Sequence, residues 1–365
     1  YLCLCLLPEG TPVLASPGCL TMMDVRRATR RRGPEDEVGH LVFRPLEAAR
    51  PFEVGPDTRL TPYYVDHSAF GSMAALVEAG GRLLAYTGDI RFHGPLKDQS
   101  LDFERILEKK GPDVLVVEAT NAVGARMVGE EEVKDDMANI FGEARGLVVV
   151  DAHLGDIWRV SSIISAAKEA RRDVLIPLKL TAILEALKEK ACRMEPDLLR
   201  MPVPDIREPN ILIYVRPKRR LEKWERELLA RCSGEVEEDK LIGPDGVRER
   251  AGELVLVSEY PILDVREVGP PDKTILVHAR SEPFNETGLV EYETLKAWLR
   301  TLGIPMLQAH SSGHASLVRI AEMVERAQPE RVVVVHTPEP ALAKRYLEAF
   351  CPDVVAPGPG EELTF

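Results

Sequence analysis

The sequence predicts a mixed α/β protein with about two domains. The chain has 365 residues, and one domain usually takes roughly 100–200 residues. From about residue 58 to residue 120, short β-type runs alternate with turns. From about residue 141, strand-like and helix-like runs alternate instead, which is typical of a small parallel sheet with helices between its strands.

The first region predicts a hairpin and a buried strand. Residues 72–78 and 82–87 have β-type composition and flank the Ala-Gly-Gly run at 79–81, which favours a tight turn. Residues 113–118 form an apolar run that ends in a carboxylate, as expected of a buried strand.

The second region predicts strand–helix pairs and a less regular segment. The pairs are 146–150 with 157–170, and 173–177 with 180–190. The segment 195–272 is rich in proline and charge, and it contains a strand-like run at 211–215, a charged helix at 221–231 and a glycine-rich turn near 243–246. A final αβ stretch comprises the strands 273–278 and 331–335 and the helices 292–302 and 316–327.

The composition argues against two classes of protein. With 45% hydrophobic and 29% charged residues, the chain has no apolar run near the roughly 18–20 residues that a membrane span needs. A net charge of −12 argues against a protein that coats nucleic acid with its whole surface, although a local basic patch is enough to guide an acidic substrate. Two such patches lie at 26–32 and 216–220, and charge runs of this kind more often form a solvated face.

The cysteines and the first residues bear on the cellular setting. The six cysteines form no CxxC pair and no disulfide-like spacing, which favours a reducing, cytoplasmic setting with buried thiols. Residues 1–7 are apolar but lack a preceding basic region and a convincing cleavage site. We therefore expect a buried element there, not a signal peptide.

Five polar residues stand where a rigid sheet or a helix start would hold them. His67, Asp89, Glu118 and His336 each lie at the end of a β-type run, and His314 immediately precedes a predicted helix. Taken singly, each has an ordinary interpretation, since a histidine after a strand is usually a hydrogen-bonded structural residue and an aspartate after glycine usually forms a turn. The set as a whole matches one known arrangement in order, residue type and spacing.

That arrangement resembles the β-CASP branch of the metallo-β-lactamase fold, whose members include ribonuclease J-like RNA-processing nucleases. The resemblance runs through nearly the whole chain and includes residues 281–286, which are similar to a segment of the microbial members. Its motifs are Asp66-His67-Ser68 (third motif), Tyr86-Thr87-Gly88-Asp89 (fourth motif), Glu118-Ala119-Thr120 (motif A), Ser312-Gly313-His314-Ala315-Ser316 (motif B) and His336 (motif C).

The resemblance implies two divalent metal ions, zinc or alternatively manganese. Their ligands would be His67, Asp89 and His336, with Asp89 bridging both ions and thereby counting as catalytic too. Two metal ions roughly 3.5–4 Å apart generate hydroxide from bound water and stabilise in-line attack on phosphorus. Zinc suits imidazole and carboxylate ligands.

The resemblance also implies roles for motifs A and B. His314 would protonate the leaving oxygen or stabilise the transition-state charge, and Glu118 would orient it, the alternative being that Glu118 is a structural acid. Ser312, Gly313 and Ser316 are the expected substrate-binding residues. Ser316 would cap the helix that follows, whose amides could hold a phosphate, and capping alone is the alternative.

Other polar residues near these motifs have weaker cases. His93 follows Asp89 closely and would contact the metal ligands without binding a metal ion itself. His153 and Arg159 follow the first strand of the second region, and a structural role is favoured for both. A contact between Arg91 and a substrate phosphate is left open.

The histidine-rich HxHxDH loop of this family is absent from the sequence. Residues 11–17 resemble the strand that follows that loop in related proteins, and residue 1 is tyrosine. Two explanations compete: a fragment of a longer active protein, which is favoured, and a natural inactive member that serves as a scaffold subunit. On either, this polypeptide is expected to bind its metals poorly.

The sequence thus predicts an N-terminally incomplete metallo-β-lactamase αββα sandwich (1–137 and 273–365) with an inserted β-CASP domain (138–272). The expected function is metal-dependent hydrolysis of single-stranded RNA, exo- or endonucleolytic, in the cytoplasm. The alternatives are a DNA nuclease of the same fold and a non-catalytic partner in an RNA-processing complex. A small-molecule hydrolase is less favoured, because the inserted domain would be idle there. No membrane association is expected, and a homodimer is allowed.

Overall fold

A computed structural model describes residues 3–29, 33, 36–123, 128–191, 203–235, 238–281, 283 and 286–364. In these residues the chain forms two seven-stranded sheets, a two-stranded parallel sheet and helices packed against them. The predicted mixed α/β class is therefore confirmed. The small sheet pairs β1 (Pro12–Ala15) with β2 (Val42–Pro45), and the helix α1 (Pro17–Thr29) follows its first strand.

The first large sheet combines an antiparallel half with a parallel half. Its order is β16-β15-β7-β6-β5-β4-β3, where β3 to β6 pair antiparallel and β6, β7, β15 and β16 pair parallel. The hairpin predicted around 79–81 is confirmed by the pairing of β5 with β6. The strands are β3 (Phe52–Gly55), β4 (Thr58–Tyr64), β5 (Met73–Ala79), β6 (Arg82–Tyr86), β7 (Val114–Glu118), β15 (Arg331–Val335) and β16 (Val354–Val355).

Three helices pack on one face of this sheet: α2 (Lys97–Lys110), α10 (Leu317–Ala327) and α11 (Pro340–Leu347). The core between helices and sheet contains Phe103 and Val324, which pack with the β7 residue Val117. A buried glutamate strengthens the contact, because Glu104 of α2 pairs with Arg319 of α10 at 2.7 Å. These helices therefore hold the central strands β7 and β15 in place, and with them the polar residues Glu118 and His336 at the strand ends.

The second large sheet is parallel throughout, with the order β11-β10-β9-β12-β8-β13-β14. This confirms the parallel sheet predicted from the alternation of strands and helices. Its strands are β8 (Val148–Asp151), β9 (Asp173–Pro177), β10 (Ile211–Tyr214), β11 (Leu241–Ile242), β12 (Leu254–Ser258), β13 (Ile275–His278) and β14 (Met306–Gln308). Its helices are α3 (Glu130–Glu143), α4 (Ile157–Glu169), α5 (Leu178–Ala186), which continues as a π-helical turn (Leu187–Ala191), α6 (Lys223–Glu235), α7 (Pro244–Glu249), α8 (Pro261–Val268) and α9 (Glu286–Leu302).

Both faces of the second sheet are covered, as a parallel sheet requires. Val148 and Val150 of β8 contribute to the core on one face, and Leu147 and Val149 contribute to the core on the other. The strand β12 in the middle of the sheet was missed in the sequence, because its five buried residues follow a charge-rich stretch that hides the apolar run.

The chain leaves the first sheet after β7 and returns to it at β15, and all seven strands of the second sheet lie between those two points in the sequence. The carboxyl end of β14 leads into a loop that contacts residues at the edge of the first sheet, since its Gly313 carbonyl lies 2.6 Å from Nδ1 of His67. The loop after β14 runs directly into the motif B segment at 312–316. This connection brings residues from both sheets to one place.

Several local expectations are wrong. The opening segment is not a buried element, because its short 3-10 helix (Leu4–Leu6) buries no side chain and Leu6 is 80% exposed. The turn expected near 243–246 is instead the start of α7. The thiols are not uniformly buried, since Cys3 is exposed whereas Cys351 is buried. Arg30 to Arg32, part of one predicted basic patch, and Cys192 lie outside the described residues.

Among the helices that the structure describes, none has the length and apolar character that crossing a membrane requires.

Candidate metal centre and active site

The sheet topology explains why residues distant in sequence meet at one edge. The strands β4, β6, β7 and β15 all run in the same direction, so their carboxyl ends lie on the same side of the first sheet. His67 and Asp89 lie three residues after β4 and β6, Glu118 ends β7 and His336 directly follows β15. The interior residues of β7 and β15 are largely buried, so these two strands hold Glu118 and His336 firmly at this edge of the sheet.

Asp89 lies between two histidines. Its Oδ2 is 3.6 Å from Nε2 of His67, and its Oδ1 is 2.9 Å from Nδ1 of His336. The three residues that the sequence predicts as metal ligands are therefore adjacent, with the carboxylate in the central position. The His336 side chain is 57% exposed and that of His67 only 10%, so the group opens to solvent on the His336 side.

His314 joins this group from the motif B loop and is held by Glu118. Its Nδ1 lies 2.9 Å and 3.0 Å from the two oxygens of the Glu118 carboxylate. Glu118 is buried and also accepts hydrogen bonds from the amides of Ile90 (2.9 Å) and Thr120 (3.2 Å). A carboxylate fixed at both oxygens holds the imidazole in one orientation and leaves its Nε2 free to face the site.

Burial and mutual attraction have opposite effects on the pKa values of His314 and Glu118. Burial by itself lowers the pKa of His314, but the hydrogen bond and negative charge of Glu118 outweigh it, so that pKa is raised. Burial raises the pKa of Glu118, but His314 outweighs it in turn and the pKa is lowered. Both shifts favour the charged pair, a protonated imidazole next to a carboxylate.

His67 is in the opposite electrostatic state. Its pKa is lowered chiefly by burial, which favours the neutral imidazole. Nδ1 of His67 lies 2.6 Å from the carbonyl oxygen of Gly313, an acceptor, so that nitrogen carries the proton and Nε2 is the unprotonated one. A neutral imidazole with Nδ1 donating to a carbonyl and Nε2 directed at a carboxylate has the orientation of a metal ligand.

The donor set suits a divalent metal ion. The ligand atoms of His67, Asp89 and His314 lie within 4.8 Å of one another, and so do those of Glu118, His314 and His336. Imidazole nitrogens and carboxylate oxygens are ligands for zinc and, in part, for manganese. The described residues therefore fit the metal that the sequence predicts, although His314, which was expected to be the acid, belongs to both groups.

His336 also has an unusual backbone. Its φ angle is +47°, in the left-handed region that non-glycine residues seldom adopt. Thr120 supports this conformation, because its hydroxyl donates to the His336 carbonyl oxygen at 3.1 Å and lies 3.3 Å from the His336 Nδ1. Strained backbone of this kind persists where neighbouring contacts determine it and is concentrated at functional sites.

The predicted substrate-binding residues lie on the loop that carries His314. Asn121 donates to the Ser312 hydroxyl at 2.7 Å and to the His314 carbonyl at 2.8 Å. A Cβ atom on Gly313 would lie 2.6 Å from the Ser68 hydroxyl, so this position needs glycine for a close approach. Ser316 caps α10, where its hydroxyl accepts from the Arg319 amide, which confirms the predicted cap.

Four further polar residues have the following environments. Arg91 is fully buried and pairs with Asp66 at 3.0 Å, so the open suggestion that it contacts substrate phosphate is wrong. His93 lies behind the loop, with its Nε2 3.0 Å from the Ser312 carbonyl. Arg159 is buried and paired with Glu130, as the structural interpretation expects, and His153 is exposed.

Asn121 was missed in the sequence. It follows Glu118 by three residues, immediately after the Glu-Ala-Thr run, and this proximity to motif A was the available signal.

Comparison with known proteins supports the family resemblance. The chain is 24% identical over 382 aligned residues to ribonuclease J of Sinorhizobium meliloti, covering 97% of this chain and 60% of that protein. It is 22% identical to ribonuclease J of Mycoplasma pneumoniae, covering 75% of this chain and 45% of that protein. No protein-family model matches. The chain thus spans about 60% of the length of the Sinorhizobium relative, or less for the Mycoplasma protein.

Among solved structures, a protein of unknown function from Enterococcus faecalis V583 is similar to this chain with a TM-score of 0.72. The match covers 96% of this chain and 75% of that protein at 15% sequence identity, so it concerns the fold alone. The matches to ribonuclease J, in contrast, are matches of sequence, and they cover 97% and 75% of this chain. The chain is therefore similar to ribonuclease J over nearly its whole length, which confirms the resemblance to ribonuclease J-like nucleases of the metallo-β-lactamase and β-CASP type predicted from its motifs.

Proposed function

We propose that this chain carries the catalytic residues of a metal-dependent ribonuclease that hydrolyses phosphodiester bonds of single-stranded RNA. The observation that carries the proposal is the position of Asp89 between His67 and His336, with the Glu118–His314 pair beside them. Ribonuclease J is the name of the curated relatives, and this favours RNA as the substrate.

The finer fold assignment is part of the proposal. The first large sheet and its helices would belong to a metallo-β-lactamase αββα sandwich, and the second sheet to an inserted β-CASP domain. The proposed boundaries are 1–137, 138–272 and 273–365. The pairing of β13 and β14 with the second sheet favours a later return to the sandwich, between β14 and β15.

The metal ligands proposed are His67, Asp89 and His336. When bound, two zinc or manganese ions would supply a hydroxide nucleophile and neutralise negative charge on the phosphate. Neutral His67 is held ready by its bond to the Gly313 carbonyl, and Asp89 offers one oxygen toward each histidine. His336 faces solvent, so the scissile phosphate would enter from its side.

His314 is proposed as the general acid. The Glu118 carboxylate favours its protonated form and fixes Nδ1, so the proton available for transfer is on Nε2. Donation of that proton to the leaving oxygen converts an alkoxide into a neutral hydroxyl group. The neutral imidazole that remains is still hydrogen-bonded to Glu118 through Nδ1.

Ser312, Gly313 and Ser316 are proposed to contact the substrate phosphate. The Ser312 hydroxyl accepts from Asn121 and from the His314 amide, and the Ser316 hydroxyl accepts from the Arg319 amide. Each hydroxyl therefore retains its own proton for donation to a phosphate oxygen. Gly313 lets the backbone approach without a side chain in the way. A cytoplasmic location and a homodimer stay predictions.

The test is an assay of the full gene product that contains these residues. Labelled single-stranded RNA and DNA of one sequence are incubated with zinc or manganese, with and without chelator. We expect metal-dependent RNA cleavage, loss of cleavage in His314→Ala, and normal cleavage in the control His40→Ala, whose imidazole contacts the Leu7 carbonyl. Cleavage of DNA alone would identify a DNA nuclease. No cleavage of either substrate would favour a non-catalytic partner.

A further inference from the structure

One buried arginine connects the second sheet to the motif B loop. Arg159, in the first turn of α4, is 1% exposed, and its guanidinium donates to both carboxylate oxygens of Glu130 at 2.7 Å and 3.0 Å. It also donates to the backbone carbonyls of Ala279 (2.7 Å), Ser311 (3.3 Å) and Ala309 (3.4 Å). A single side chain therefore joins α3, the end of β13 and the loop that follows β14.

The segment 309–313 has no helix or strand of its own, so other groups must fix its position. Side chains from the neighbourhood of both sheets donate hydrogen bonds to carbonyl groups along this segment. The donors are Arg159 to Ala309 and Ser311, Arg91 (3.4 Å) and His93 (3.0 Å) to Ser312, and His67 (2.6 Å) to Gly313. Of these donors, Arg159 lies on α4 beside the second sheet, and the others lie in loops that follow strands of the first sheet.

A guanidinium is the group that this position requires. It keeps its charge and presents five N–H donors in a fixed plane, so it can bind a carboxylate on one side and carbonyls on the other. Glu130 holds that plane in place and balances its charge, and Arg91 lies 3.9 Å from the same carboxylate. A lysine would keep the charge but could not reach Glu130 and the carbonyls of Ala279 and Ser311 together.

We propose that Arg159 is a positioning residue for His314: it sets the course of the segment 309–313 and thereby places the His314 imidazole against Glu118 and the ligands His67 and Asp89. The inference rests on the proposed function for its catalytic consequence. Its structural part, the ordering of the loop, stands on the contacts of Arg159 alone. Through Arg159, the helix α4 beside the second sheet thus contributes to the proposed centre by holding the loop backbone.

The test compares Arg159→Met and Arg159→Lys with a matched control, Arg172→Met. Arg172 is also buried and also donates to backbone carbonyls of the second sheet, those of Gly146 at 2.9 Å and Leu254 at 3.4 Å. These carbonyls lie at the amino ends of β8 and β12, away from the motif B loop. The control therefore reports the cost of losing a buried arginine without disturbing residues 309–313.

Two readouts are measured on the full gene product with its metal. In hydrogen–deuterium exchange, the peptide 309–316 is expected to exchange at least about tenfold faster in Arg159→Met, to be intermediate in Arg159→Lys and to be unchanged in Arg172→Met. In RNA cleavage, kcat is expected to fall by about 100-fold in Arg159→Met with little change in KM, because a shift of about 1 Å in a catalytic group has an effect of this size.

The outcomes separate the two proposals. Faster exchange at 309–316 without any RNA cleavage by the wild-type protein would reject the proposed function and retain the role of Arg159 in ordering the loop. Unchanged exchange and kcat in a folded Arg159 variant would overturn the inference, and so would equal effects in the Arg172 variant. Should Arg159→Met fail to fold, Arg159→Lys and Glu130→Gln give the same exchange readout with milder changes.

Discussion

Glu118 and His314 are 196 positions apart in the chain, yet Oε1 of Glu118 lies 2.9 Å from Nδ1 of His314. One residue ends a central strand of the first sheet, and the other lies on the loop that arrives from the second sheet. Their hydrogen bond joins the edge of the first sheet to the loop that follows the last strand of the second sheet.

Glu118→Gln is expected to shift the pH dependence of RNA cleavage. The carboxylate raises the pKa of His314, so its removal lowers that pKa and the protonated imidazole is lost at lower pH. The alkaline limb of the kcat profile should move to lower pH, and kcat at its maximum should fall by about 10²- to 10⁴-fold, the range of general acid catalysis. An unshifted alkaline limb would mean that His314 is not the titrating acid.

The same pair should make the stability of the protein depend on pH. The raised pKa of His314 gives stability that is complete below its unfolded pKa of about 6.5 and is lost as pH rises through the folded value. The lowered pKa of Glu118 gives stability that is complete above its unfolded pKa of about 4.5 and is lost as pH falls through the folded value. The full contribution is therefore expected between about pH 4.5 and 6.5.

A double-mutant cycle measures this contribution. Glu118→Gln, His314→Ala and the double variant are unfolded in urea at several pH values, with metal removed by chelation. We expect a coupling free energy of about 1.5–3 kcal/mol within that window, as for hydrogen bonds to charged groups, and a smaller one at pH 8 and above. A coupling free energy that was larger at pH 8 than between about pH 4.5 and 6.5 would contradict the assigned charge states.

Asp89→Asn is expected to weaken metal binding. The substitution keeps the shape of the side chain but removes the negative charge between His67 and His336. Zinc affinity, measured by competition with a chelating dye, should fall by more than about tenfold because a charged ligand is replaced by a weak neutral one. The control is Asp113→Asn. Asp113 immediately precedes β7, at the end of that strand opposite to Glu118, and its carboxylate accepts a hydrogen bond from the Leu83 amide. This substitution should leave the zinc affinity unchanged.

Gly313→Ala is expected to disturb the site by volume alone. The added Cβ would lie 2.6 Å from the Ser68 hydroxyl and 3.0 Å from the His67 ring, so these side chains or the loop that carries His314 must shift. Overpacking of this kind costs about 1–3 kcal/mol of stability, and displacement of His314 should lower kcat by about 100-fold. Thermal unfolding and kinetics are measured on the same preparation.

The control for that substitution is Gly142→Ala. Gly142 lies in α3, and a Cβ at this position would meet no atom within 4 Å. Alanine in a helix interior is favoured over glycine by roughly 0.5–1 kcal/mol. We therefore expect unchanged activity and equal or higher stability, and a comparable loss of activity in both variants would show that the Gly313 effect is not steric.

The parts of the site that follow strands were readable from the sequence. His67, Asp89, Glu118 and His336 each stand at the end of an apolar run, and an apolar run followed by a polar residue is a local pattern. The parallel direction of the strands then brings such ends together. For the same reason the alternating strands and helices between β8 and α5 were predicted with bounds close to the observed ones.

The remaining parts depend on contacts between distant segments. The position of Asn121 beside motif A marks it as a site candidate, but neither its neighbours nor those of Arg159 indicate that these side chains bind the motif B loop, because the partners lie 150 to 200 positions away. The exposure of Leu6 likewise depends on what packs against it and not on its own hydrophobicity. Sequence patterns report secondary structure and burial tendency, whereas the support of a loop is a property of the assembled fold.

The pairing of β7 with β15 has a consequence for how the protein acquires its site. These neighbouring strands are joined through the entire second sheet, so they can meet only after a very long stretch of chain has been brought back to its starting point. Closing a long flexible loop has an entropic cost, and folding rates fall as contacts become less local. Prior folding of the second sheet would shorten that loop and make the closure faster. The proposed metal ligands at 67 and 89 would then meet His336 only after the chain between β7 and β15 has folded, which makes the assembly of the site a late event in folding.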